Sequence, residues 1–75
     1  MDFNDIIGRM LTWDDSYAIA LGLKQEHPGV SIEDVSLEMI YQWTLALLDF
    51  VDEPGLVNEE ILNAIVQEWL EEDGT

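Results

Sequence analysis

The stretch Leu47-Leu48-Asp49-Phe50-Val51-Asp52-Glu53-Pro54-Gly55-Leu56-Val57-Asn58-Glu59-Glu60-Ile61-Leu62 holds the end of one helical pattern, a break and the start of another. Pro54 has no amide proton to give a helix, and with Gly55 behind it the chain must turn. Asn58 then stands where a helix N-cap belongs, and Glu59 and Glu60 fall in the first turn, facing the positive end of the helix dipole. Val57 and Leu62 occupy the two positions of a hydrophobic staple. Downstream, Ile61, Leu62, Ile65 and Trp69 keep helical spacing, so a helix is predicted from Asn58 to about Glu72. Upstream, Leu37, Ile40, Tyr41, Thr44, Leu47, Leu48 and Val51 lie three or four apart, which predicts a helix over about 37–51. Met39, Trp43 and Phe50 add a second stripe beside the first. A helix apolar over so much of its circumference is expected in the middle of a bundle.

Further toward the N-terminus, Asp14 is placed to cap a helix from Asp15 to about His27, with Ile19, Ala20 and Leu23 as its inward stripe. Pro28-Gly29 ends that helix and forces His27 toward extended geometry. Ser31-Ile32-Glu33-Asp34 reads as a capping-box-like opening and a short turn, with Ser36 before the next helix. Residues 1–11 carry Ile6, Ile7, Met10 and Leu11 at helical spacing, weakened by Gly8, and read as an arm or a short helix. The expectation is an all-α, compact three-helix domain over 12–75, preceded by that arm over 1–11. Short connections require neighbouring helices to pack directly.

Seventy-five residues make one domain, near the size at which a single core just suffices. A hydrophobic content of 48% separates the chain from disordered acidic segments. With no cysteine, disulfides and thiolate metal sites are excluded. Seventeen Asp and Glu oppose only Arg9 and Lys24, for a formal net charge of −15. Nucleic acid and anionic membrane surfaces are therefore poor partners. No apolar run approaches the ~20 residues of a membrane span, and the N-terminus lacks a secretory layout. A cytoplasmic protein is expected, monomeric through self-repulsion, whose targets are a basic protein surface or a metal cation.

One histidine and no cysteine do not build the usual closed zinc or copper sites, and His27 reads as structural. Carboxylates alone give weak, poorly selective sites for ferrous iron. The interval Asp49 to Glu60 superficially resembles a calcium loop, but Val51 and Pro54 stand where a ligand and a glycine are needed. Asp34 and Ser36 resemble the attachment site of small acidic acyl carrier proteins, except that Val35 intervenes; Ser36 also reads as a plain cap. No nucleophile, base and orienter assemble, so enzymatic activity is not expected.

The run Leu11-Thr12-Trp13-Asp14-Asp15-Ser16, followed by Ile19, Leu23 and His27-Pro28, resembles the IscX family of iron–sulfur cluster assembly proteins. So do Gln42-Trp43, Leu47, Asp49-Phe50, Asp52-Glu53-Pro54, Asn58-Glu59, Ile61-Leu62, Ala64-Ile65, Trp69-Leu70 and Glu72. The joint spacing of these motifs, with Trp43 and Trp69 bracketing Asp-Glu-Pro and Asn-Glu, is specific and covers about Trp13 to Glu72. The chain departs from the family at Met39 and Val51, where aspartates are usual. The resemblance implies a small helical fold related to helix-turn-helix and winged-helix domains. It further implies binding to a cysteine desulfurase at a basic surface, regulation of sulfur transfer, competition with frataxin, and weak, transient binding of Fe2+. The candidate partner-binding residues are Asp14, Asp15, Glu26, Asp49, Asp52, Glu53, Glu59, Glu71 and Glu72. Asp15, Asp49, Asp52 and Glu53 are the candidates for iron. Plain solvation, capping or dipole compensation is the competing reading for each of them. An acyl-carrier-like protein, a stand-alone iron or calcium buffer and a nucleic-acid mimic are the alternative functions.

Overall fold

The N-cap expected at Asp14 stands one residue later. A computed structural model of the protein describes residues 10–73 and gives three α-helices and two 3-10 turns. Helix α1 is Ser16–Glu26, α2 is Leu37–Ala46 and α3 is Glu59–Asp73, with 3-10 turns at Ile32–Asp34 and Pro54–Leu56. Asp15 is the N-cap residue of α1, but its carboxylate turns back to Thr12 instead of onto the helix. The helical turn expected within residues 1–11 falls, up to Arg9, outside the described residues.

The core is the set of apolar positions that helical spacing brings together. Ile19, Ala20 and Leu23 of α1, Ile40 of α2, and Ile65 and Trp69 of α3 are buried, joined by Trp13 and Ile32 from the connections. Asn58 Oδ1 accepts the amide proton of Ile61 at 2.9 Å, the capping bond predicted for α3. Ser36 Oγ accepts from the Met39 amide at 3.2 Å and starts α2. Helix α1 closes with the His27 amide on the Leu23 carbonyl, and Gly29 takes the positive φ of 85° that turns the chain away.

Two expectations fail for one reason. Helix α2 ends at Ala46 rather than near Val51, and the element at the centre is α3, which packs on both α1 and α2. Leu47 leaves the helix with extended backbone, its amide closing on the Thr44 carbonyl. The Phe50 amide then bonds the Leu47 carbonyl in a turn. That turn delivers the Asp49 carbonyl and the Val51 amide to Leu11, at 2.8 and 2.9 Å, as an isolated parallel bridge between Leu11 and Phe50. Helical bonds past Ala46 are exchanged for this tertiary pairing. Leu48 and Val51, expected on the buried stripe, are consequently exposed. Among the described residues there is no strand and hence no hairpin wing beside the helices. None of the described helices is long and apolar enough to cross a membrane.

Candidate functional site

Trp13 organises the acidic candidates. It is buried, meets Phe50 edge-on at a centroid distance of 4.6 Å, and lies parallel to Tyr41 at 6.3 Å. Its ring nitrogen donates to the Glu53 carbonyl at 2.7 Å, so the indole is buried with its polar atom satisfied. Its backbone amide donates to Asp52 Oδ2 at 3.0 Å, while Asp52 Oδ1 accepts from the Glu53 amide at 2.8 Å. One residue earlier, Asp15 Oδ2 accepts from the Thr12 amide at 2.9 Å and from its hydroxyl at 3.3 Å. The amides of Thr12 and Trp13 are thus held by two carboxylates, one three residues along the chain and one thirty-nine. Asp49 contributes its carbonyl to the neighbouring Leu11 amide and leaves its own side chain exposed.

Asp15, Asp49, Asp52 and Glu53 are therefore gathered around the short segment Leu11–Trp13. The carboxylates of Asp15 and Asp52 are committed to amide protons, and among the described residues no three or more His, Cys, Asp or Glu side chains converge to hold a metal ion. The donor set does not form a closed site.

The other candidates lie elsewhere. Glu26 ends α1 and lines a groove of ≈ 240 Å³ together with Asp49. Asp14 is exposed in the turn before α1, and Glu59 is exposed in the first turn of α3. Glu71 is exposed on the last turn of α3. Acidic side chains are adverse at the negative end of a helix dipole, yet Glu72 accepts from the Tyr17 hydroxyl at 3.3 Å and Asp73 pairs with Lys24 at 3.0 Å. Both contacts tie the end of α3 to α1, which gives these two acids a structural use. The negative charge of Glu72 raises the Tyr17 pKa, with lesser contributions from desolvation, the hydrogen bond and Glu68, against Lys24.

His27 stacks on Trp43 with ring centroids 3.7 Å apart and planes 17° from parallel. The sequence marks His27 as structural and Trp43 as part of a second apolar stripe, but gives no sign of their contact.

A family model described as iron-sulphur cluster assembly matches residues 11–73. The chain belongs to this IscX family of iron–sulfur cluster assembly proteins. An uncharacterized protein of Pseudomonas aeruginosa is 34% identical over 62 residues, covering 83% of this chain and 94% of the relative. The bounds of the IscX match have a physical sense. Its first residue, Leu11, forms the bridge to Phe50, and its last, Asp73, pairs with Lys24. The two motifs that mark this IscX chain, Leu11-Thr12-Trp13-Asp14-Asp15 and Asp52-Glu53-Pro54, are each other's hydrogen-bond partners through Trp13.

Proposed function

We propose that this protein is a non-catalytic adaptor in iron–sulfur cluster assembly that docks its acidic surface on a basic patch of a cysteine desulfurase and so regulates sulfur transfer. One observation carries the reading. Lys24 is the only Lys or Arg among the described residues and is paired with Asp73, so apart from His27 that surface offers a partner negative charge. All of the acidic residues except Asp2 and Asp5 lie in the described stretch. Such a surface is steered to a cationic one and held there by charges that salt screens. The family supports the setting in cluster assembly, and competition with frataxin for the same basic patch follows from this reading.

Catalysis is no part of it. The lone imidazole is stacked on Trp43, and the Ser36 hydroxyl caps α2. Ferrous iron enters only as a weakly held, exchanging ion at exposed carboxylates such as Asp49 and Glu53. Asp14, Glu26, Asp49, Glu53, Glu59 and Glu71, all exposed, are the residues placed to meet a partner directly. Asp15, Asp52 and Glu72 contribute charge while serving the fold.

Titration of the purified protein into a cysteine desulfurase at several ionic strengths tests this. Affinity is expected to fall steeply between low and physiological salt, where the screening length shrinks to about 8 Å. Binding that ignores salt, or no binding at all, overturns the proposal.

A further inference from the structure

The groove beside the Leu11–Phe50 bridge has features that the fold does not explain. Leu11, Gly22, Glu26, Leu47, Leu48 and Asp49 line it, with a volume of ≈ 240 Å³. A shallower extension of ≈ 190 Å³ runs on to His27 and Trp43 and shares Glu26, Ala46 and Leu47 with it. Leu48 sits in the turn after α2 and is 100% exposed, at a position where turns ordinarily carry Gly, Asn, Asp or Ser. Met10 and Val51, each more than half exposed, adjoin the bridge that forms one side of the groove. Single exposed apolar residues need no explanation, but here Leu48 lines the concavity itself, while Met10 and Val51 flank the bridge residues Leu11 and Phe50 in sequence.

Among the described residues, the carboxylates and helix ends at the same place have one sign. Glu26 and Asp49 are both exposed, and both line the groove. Helices α1 and α2 end at Glu26 and Ala46, both of which line it, so the negative ends of two helix dipoles add to the two carboxylates. Among the described residues, no Lys or Arg lines either part of the concavity. Apolar walls with anionic rims complement a side chain that is a hydrocarbon stem ending in a weakly hydrated cation.

We propose that this groove is the anchoring point of the partner interface, receiving an arginine side chain carried beside an apolar residue of the partner protein. The aliphatic stem lies on Leu47 and Leu48, and the guanidinium sits between Glu26 and Asp49. The inference rests on the desulfurase reading above and deepens it: general acidity brings the partner, and this one place fixes the register.

The test compares three variants of the full chain in titrations with the cysteine desulfurase at low salt, each checked by thermal unfolding. Leu48→Ser removes an apolar side chain that buries nothing in the free protein, so it keeps native stability; its affinity is expected to fall by about tenfold, as for an interface anchor. The pair Glu26→Gln with Asp49→Asn removes two charges at the groove. The pair Glu38→Gln with Glu60→Gln removes two charges from the first turns of α2 and α3, with Glu38 at the far end of α2 from Ala46. The groove pair is expected to lose about tenfold more affinity than the remote pair. Equal losses from the two pairs, or native affinity in Leu48→Ser, overturn the groove while leaving desulfurase binding in place. If the native chain itself does not bind, the functional reading falls and this inference falls with it.

Discussion

The carboxylate of Asp52 receives two amide protons at once, from Trp13 and from its own neighbour Glu53. Removing it leaves the Trp13 amide, at the edge of the core, without its acceptor. Asp52→Ala is expected to lower stability by about 1.5–3 kcal/mol, and Asp52→Asn by less, because one amide oxygen still accepts. Urea unfolding of both variants measures this; an unchanged midpoint in Asp52→Ala would show that the bond contributes nothing. Tyr17 provides a second check. The negative charge of Glu72, first among the causes, raises its pKa above the ordinary value of about 10, because the phenolate would face an existing carboxylate. A raised pKa in the folded state means that the contact's contribution is complete below about pH 10 and is lost as pH climbs through the folded value, so neutral pH is unaffected. In a Tyr41→Phe background the phenolate absorbance reports Tyr17 alone, and Glu72→Gln should bring its titration back down. At this scale the sequence was partly legible. Asn58 and Ser36 could be read as caps because the amides that donate to them lie three residues away. The task of Asp52 could not, since its donor is thirty-nine residues away and no local spacing encodes it.

Helix α1 was legible to within a residue because its stops are chemical: Pro28 and Gly29 after it, and buried positions at 19, 20 and 23 within it. Helix α3 was legible for the same reason, from Asn58 through Trp69. Helix α2 was not, because nothing in the run from Leu45 to Val51 breaks a helix. Spacing continues past Ala46, and what ends the element is competition from Leu11 for the backbone of Asp49 and Val51. Once the turn forms, positions that were in phase with the core point outward, and Leu48 becomes part of a groove instead of a stripe. The candidate site was legible as a population of acids, but its concavity depended on that early stop. Gly22, in the middle of α1, tests how tightly the two helices meet there. A methyl group added at Gly22 would meet the Leu47 side chain at 3.6 and 3.7 Å, ordinary contact distances. Gly22→Ala is therefore expected to stabilise the protein by about 0.5–1 kcal/mol through helix propensity, read as a higher thermal midpoint. A lower midpoint would mean that α1 and the turn cannot accommodate even one carbon.

A net charge of −15 on 75 residues sets two equilibria of the whole molecule against each other. Folding brings the carboxylates of three helices together, and with Lys24 already paired, no other Lys or Arg among the described residues relieves their repulsion. Added monovalent salt screens that repulsion and should raise the thermal midpoint, by several degrees if the relief is about 1 kcal/mol. Docking on a basic surface runs the other way, because there the same charges attract. Raising ionic strength from a few millimolar to about 0.5 M should therefore stabilise the free protein and weaken its complex in the same series of solutions. Sodium and potassium chloride should act alike if screening is the cause. A neutral osmolyte should stabilise the fold without weakening the complex, since it is excluded from surfaces but screens no charge. The opposed signs separate mechanisms that either measurement alone would confuse. If apolar burial at Leu48 dominated the interface, salt would leave the complex unchanged or tighten it. If the acids were already neutralised within the fold, salt would leave the midpoint where it was. Only a surface whose charges are unfavourable to one another and favourable to a partner gives a rising midpoint beside a falling affinity.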